Sequence, residues 1–111
     1  MIVVDCSCVQ KRNLIKEITI FGHSEYSEKG KDIICSAVSG IVNGTANFIY
    51  ENYPSLSEIS FSLSRVNIKI IVLFNDDLQL CLRLMLYQLK NIEKSYSKYL
   101  KITMKVERGI V

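Results

Sequence analysis

Residues 59–74 read ISFSLSRVNIKIIVLF and residues 75–98 read NDDLQLCLRLMLYQLKNIEKSYSK, and the change of period between them decides the fold class. In the first stretch Ile59, Phe61 and Leu63 alternate with Ser60, Ser62 and Ser64, the pattern of a strand with one dry face. Residues 68–74 are more apolar and read as a second strand, which leaves Arg65, Val66 and Asn67 for a hairpin turn. From Asn75 the period lengthens to that of a helix running to about Lys98. Leu78, Leu82, Met85, Leu89, Ile92 and Tyr96 make one stripe; Leu80, Leu84 and Tyr87 make a second. Asn75 is a good N-cap, and Asp76 and Asp77 complement the helix dipole. A helix apolar on two sides must be covered twice, once by its own sheet and once by something else.

The flanking sequence completes the pattern. Residues 100–106 alternate Leu100, Ile102, Met104 and Val106 against Lys101, Thr103 and Lys105, a last strand. Residues 2–8 (IVVDCSC) form a short first strand. Residues 13–21 (NLIKEITIF) place Lys16, Ile18 and Ile20 on one side and Ile15, Glu17, Thr19 and Phe21 on the other, so this strand is expected to be partly covered on both faces. Residues 24–31 are polar and contain Gly30, which predicts a mobile loop. Asp32 is a good N-cap for a helix reaching about Glu51, with Ile34, Val38, Ile41, Thr45, Phe48 and Ile49 at helical spacing. Pro54 forbids continuation past Tyr53. The order β-β-α-β-β-α-β predicts an α+β fold, a mostly antiparallel sheet with two helices packed on one face.

The chain has 111 residues, which predicts a single domain over 1–111 with a core that needs no staples. Hydrophobic content of 49% with 23% charged residues is globular rather than disordered. A net charge of +3 is too dilute for a concentrated basic footprint, so no direct nucleic-acid partner is expected. No apolar run is read as a membrane span and no basic-then-apolar leader is seen, so a cytoplasmic protein without a membrane partner is expected. The four cysteines (Cys6, Cys8, Cys35, Cys81) are then expected to stay reduced.

The chemistry concentrates in residues 22–39, GHSEYSEKGKDIICSAVS, which hold the only histidine. If Asp32 is the cap, Cys35 is the third helical residue. Unpaired N–H groups and the helix dipole at such a place favour a thiolate and an oxyanion forming nearby. His23 ends a strand just before the loop that leads to this helix, and an imidazole there can carry the proton. The bland alternatives are a small buried thiol in an amphipathic helix and a solvent-facing loop histidine. Asp32 either caps the helix or orients His23. Ser39, one turn past Cys35, either hydrogen-bonds near the thiol or back-bonds to the Cys35 carbonyl. Cys6, Cys8, His23 and Cys35 are the right ligand types for zinc, but the C-x-C pair is expected to point to opposite faces of its strand, and no metal site is assigned. Cys81 reads as helix core. Ser36, Gly40 and Gly44 recur every four residues, a flat groove that, with the two-sided second helix, suggests a homodimer. Lys90, Lys94, Lys98 and Lys101 read as a solvated face suited to a helix C-terminus.

The segment GH…GKDIICSAVS resembles the signature of the ribosomal-processing cysteine protease Prp family: a Gly-His, a short loop, then Gly-x-Asp-Ile-Val-Cys-Ala-Ala-Val-Ser. Ile34 replaces a valine, Ser36 an alanine, and Ser24 a small apolar residue. The resemblance covers nearly the whole chain. It implies a homodimeric cytoplasmic endopeptidase that removes an N-terminal extension from a precursor ribosomal protein, the twenty-seventh of the large subunit, cutting after paired phenylalanines. It implies Cys35 as nucleophile and His23 as general base, with Gly22, Asp32 and Ser39 as retained supporting positions. The expected mechanism needs no cofactor. Backbone N–H groups of residues 34–36 would hold the oxyanion, the loop 24–31 would gate the site, and Tyr26 and Ser36 are candidate substrate contacts. The alternative is a non-catalytic module that binds RNA or protein during ribosome assembly through its lysine stripe.

Overall fold

The structure, a computed structural model, describes residues 1–10, 13–22, 29–62 and 64–107, with side chains for all of these except 29–32. Seven elements follow the expected order: β1 (Ile2–Val9), β2 (Leu14–Phe21), α1 (Lys29–Asn52), β3 (Ser57–Ser62), β4 (Arg65–Ile70), α2 (Asp76–Ser95) and β5 (Leu100–Glu107). They form one sheet in the order β3-β4-β2-β1-β5. Neighbours are antiparallel except β1 and β5, which run parallel because α2 carries the chain back across the sheet. The α+β architecture stands as expected.

One face of the sheet is dry. Val4, Cys6, Ile18, Ile20, Ile68 and Ile70 point toward Ile34, Val38, Val42, Ala46 and Ile49 of α1 and Leu78, Leu82, Met85 and Leu89 of α2. Each covered Val, Ile, Leu or Met side chain among these stabilises the fold by about 1.5–3 kcal/mol. The other face is mostly polar. On it Asn67 donates to Glu17 at 3.0 Å and to Thr19 at 2.7 Å. By length and mean hydropathy Ile33–Asn52 would reach across a bilayer, contrary to expectation; here one face of that helix lies on the sheet.

The strand β2 is covered on both sides as expected, fully at Ile18 and Ile20 and partly at Glu17, Thr19 and Phe21, but its alternation is broken. Its partners along β1 run Cys6 to Ile18, Ser7 to Glu17, then Cys8 to Ile15, which leaves Lys16 out of register. This bulge rotates Ile15 onto the helix side with Ile18 and Ile20. Gln79, 2% exposed, clamps the bulge from α2. Its Oε1 accepts from the Ile15 N–H at 2.8 Å and its Nε2 donates to the Ile15 carbonyl at 2.9 Å. Replacing Gln79 with alanine strands both backbone groups, each at a cost of about 1–3 kcal/mol. A loss of roughly 2–4 kcal/mol is therefore expected in urea unfolding, and an unchanged midpoint would rule out the clamp.

Other differences are local. Cys6 and Cys8 face the same side, as a strand period of two requires, with their sulfurs 3.8 Å apart in the core. The hairpin turns between Ser62 and Arg65, so β4 begins three residues before its expected start and Ile71–Phe74 lie beyond it. The Asn75 cap is confirmed: its side chain accepts from the Leu78 N–H at 2.9 Å. On α2 the first stripe is buried from Leu78 to Leu89, with Ile92 partly covered and Tyr96 half exposed, whereas Leu80, Leu84 and Tyr87 are more than half exposed. At the β5 edge, Glu93 accepts a hydrogen bond from the Ile102 N–H at 2.6 Å.

Candidate active site

A pocket of about 260 Å³ opens where the N-terminal half of α1 crosses the ends of the central strands. Its helical wall carries Cys35, Ser39 and Asn43, one every four residues and so stacked on one face, with Val38 and Val42 behind them. Its floor is Ile2, Ile20, Phe21 and Gly22, the start of β1 and the end of β2. The β3–β4 hairpin closes the third side with Phe61, Ser62, Ser64 and Arg65. The Arg65 guanidinium lies 5.2 Å from the centre of the Phe21 ring, the residue it faces in the strand pairing. Cys35 is half-buried, a thiol held against the wall of an open cleft and carrying no disulfide.

Gly22 shapes the rim. Its φ of +97° is a left-handed conformation, and a side chain there would run into the Met1 carbonyl. Its N–H donates to the Ser64 carbonyl at 3.3 Å, tying the end of β2 to the hairpin. His23 and Tyr26 lie outside the described residues. Asp32 falls inside α1 rather than at its cap, because the helix begins at Lys29, and its side chain is likewise outside the description. Cys35 is therefore the seventh helical residue. The N–H groups of 34–36 sit inside the i to i−4 ladder, so they are not the free donors expected from a helix capped at Asp32. Ser39 lines the pocket with Cys35; Ser36 is exposed and outside the lining. Among the described residues no group of three or more Cys, Asp or Glu could hold a metal ion.

Against this geometry, known proteins can be set. The family model for the cysteine protease Prp matches residues 1–101. The chain belongs to the cysteine protease Prp family. It is therefore a cysteine protease, and the non-catalytic alternative falls away. It is similar to the ribosomal processing cysteine protease Prp of Staphylococcus aureus, 28% identical over 107 residues, which are 95% of this chain and 100% of that one. It is also similar to two crystal structures of the essential Prp from S. aureus. One holds a substrate peptide (27% identity, TM-score 0.84) and the other a covalently linked product peptide (28% identity, TM-score 0.82). Each covers 95% of this chain and 100% of the S. aureus chain. The Prp fold thus accounts for all five strands and both helices.

The four thiols of this Prp chain differ in what surrounds them. Cys6 is fully buried, and burial together with the adjacent Cys8 pushes its pKa up to about 12. Cys81 is also raised, by desolvation and by the nearby Asp77 carboxylate. Alkylation requires the thiolate, so Cys6 stays protonated and unreactive until the pH nears 12 or the chain unfolds. Brief iodoacetamide treatment at pH 7.5, read by peptide mapping, is expected to modify Cys35 well before Cys6 or Cys81. Equal labelling of all three would contradict the placement of Cys35 on the cleft.

The pocket also holds residues that reading along the sequence missed. Asn43 was discoverable, since it continues the four-residue spacing from Cys35 and Ser39. Phe21, Phe61 and Arg65 were not, because their place depends on the hairpin register.

Proposed function

We propose that this protein is a cytoplasmic endopeptidase, one domain over 1–111, that uses a Cys35–His23 dyad to remove the N-terminal extension of a large-subunit ribosomal protein, the twenty-seventh. The observation that carries the reading is the shared pocket: Gly22, covalently joined to His23, lines the same cleft as Cys35. The chain from 23 to 28 connects that rim to the first turn of α1, and Tyr26 within it is the candidate aromatic contact. Cys35 attacks the scissile carbonyl as the thiolate, its proton having passed to His23. His23 then protonates the leaving amine, and afterwards activates the water that releases the acyl group. Ser39, one turn along the same wall, is the α1 hydroxyl inside the pocket and so the donor offered to the developing oxyanion, in place of backbone groups held in the helix. Asp32 would orient His23, and Ser36, at the outer rim, would touch substrate beyond the pocket.

We further propose a homodimer. Gly40 and Gly44 have nothing within 4 Å of where a side chain would begin, so a second backbone can approach α1 closely. Ile33 on α1 and Leu80 and Leu84 on α2 are 68%, 56% and 58% exposed, which leaves apolar surface for a partner copy to cover. The activity is tested with a peptide carrying Phe-Phe before a small residue, incubated with the protein and read by mass spectrometry. A single cut after the second phenylalanine is expected. An intact peptide in the presence of folded, dimeric protein would overturn the reading.

A further inference from the structure

The outer side of α2 is basic. Arg83, Lys90 and Lys94 lie at helical spacing opposite its buried Leu78, Met85 and Leu89, and Lys98 follows in the turn. All four are exposed, whereas Lys101 and Lys105 point from the far face of the sheet, with Asp5 and Thr103. Asp76, two turns before Arg83, is the carboxylate on this side; Glu93 turns to the sheet edge, where it accepts from the Ile102 N–H at 2.6 Å. Aromatic rings lie among the cations. Tyr87 is 67% exposed and stands one turn from both Arg83 and Lys90; Tyr96, 49% exposed, lies between Lys94 and Lys98.

We propose that this outer face of α2 is a docking surface for single-stranded RNA. The cations track the phosphates, and the two tyrosine rings stack on unpaired bases. The proposal reverses the expectation of no nucleic-acid partner, which rested on total charge and not on its placement. It rests on the reading that the substrate is a ribosomal protein, because such a surface would hold the enzyme beside the RNA on which that substrate assembles. No residue of α2 lines the cleft, so docking leaves the site open.

The test is anisotropy of a fluorescein-labelled 12-nucleotide oligouridine against the full-length protein. Binding is expected at micromolar affinity, weakening with added salt at a log–log slope of roughly −3 for about four phosphate contacts. Lys90→Glu, Lys94→Glu and Lys98→Glu together should abolish binding. Tyr87→Ala should weaken it by about tenfold or more, as loss of one base stack requires. Peptide cleavage by every variant should match wild type, so failure of docking and failure of the proteolytic reading are read separately. Wild-type RNA affinity in the triple variant or in Tyr87→Ala overturns the proposal. Equal competition by a polyglutamate peptide of the same charge also overturns it, in favour of an acidic protein partner.

Discussion

Cys35→Ala is expected to cut peptide hydrolysis by at least about four orders of magnitude, to the background of the uncatalysed reaction, because the proposed acyl intermediate forms on its sulfur. The fold should be unaffected. Cys35 is half-buried at the wall of an open cleft, and alanine fits any helix position, so the change in stability should stay within about 1 kcal/mol. The measurement therefore has two halves: initial rates on the Phe-Phe peptide and a thermal melt. Residual cleavage near the wild-type rate would transfer the nucleophile to another residue. Loss of activity together with loss of the melt would say only that the protein had unfolded, and Cys35→Ser, which is nearly isosteric, then separates the two causes.

Gly22→Ala is expected to be the most damaging single-methyl change in the chain. Holding alanine at a φ of +97° costs about 1–2 kcal/mol by itself. The added carbon also meets the Met1 carbonyl, and Met1 cannot simply withdraw, because the next residue, Ile2, donates its N–H to the Tyr99 carbonyl at 2.8 Å. Relief must come from shifting the start of β1 or from breaking the Gly22 to Ser64 hydrogen bond, and a total loss of roughly 2–4 kcal/mol follows. That is a large part of the stability of a domain this size. Because Gly22 sets the direction in which the chain leaves the cleft toward His23, cleavage by the surviving folded fraction should also fall. Gly40→Ala is the control for backbone strain, measured at a dilution where the protein is monomeric: the space around Gly40 within one chain is open, and alanine there should be neutral or stabilising by up to about 1 kcal/mol. Equal behaviour of the two variants would remove the argument for strain at Gly22.

The order of strands and helices was legible because each element carries its own period, and so was the Asn75 cap, a local hydrogen bond three residues long. What eluded reading along the chain depends on partners far away. The bulge at Lys16 exists only as a mismatch with Ser7 and Cys8 and is clamped by Gln79, 64 residues further on. The start of α1 at Lys29 was hidden by Asp32, whose fitness as a cap competes with the ordinary helix propensity of the lysines before it. In the site, Cys35 and Ser39 were legible from local spacing. Phe61 and Arg65 reach the cleft through a hairpin whose strands end at Ser62 and resume at Arg65, nearer the N-terminus than alternation suggested. Lys90 and Lys94 were legible as a stripe, but Lys101 reads as part of it although its strand turns it to the far face of the sheet, and Tyr87 and Arg83, one and two turns earlier on the same helix face, do not.

Glu93 carries one more implication. Extended peptides are what this enzyme is proposed to receive, yet the outer rim of β5 is itself a template to which any loose strand can zip, including that of another copy. By seating its carboxylate on the outward amide of Ile102, the glutamate takes one rung away from such pairing. Foreign chains are thereby left the cleft as the place to settle, and at high concentration the molecule is spared ribbon-like self-stacking.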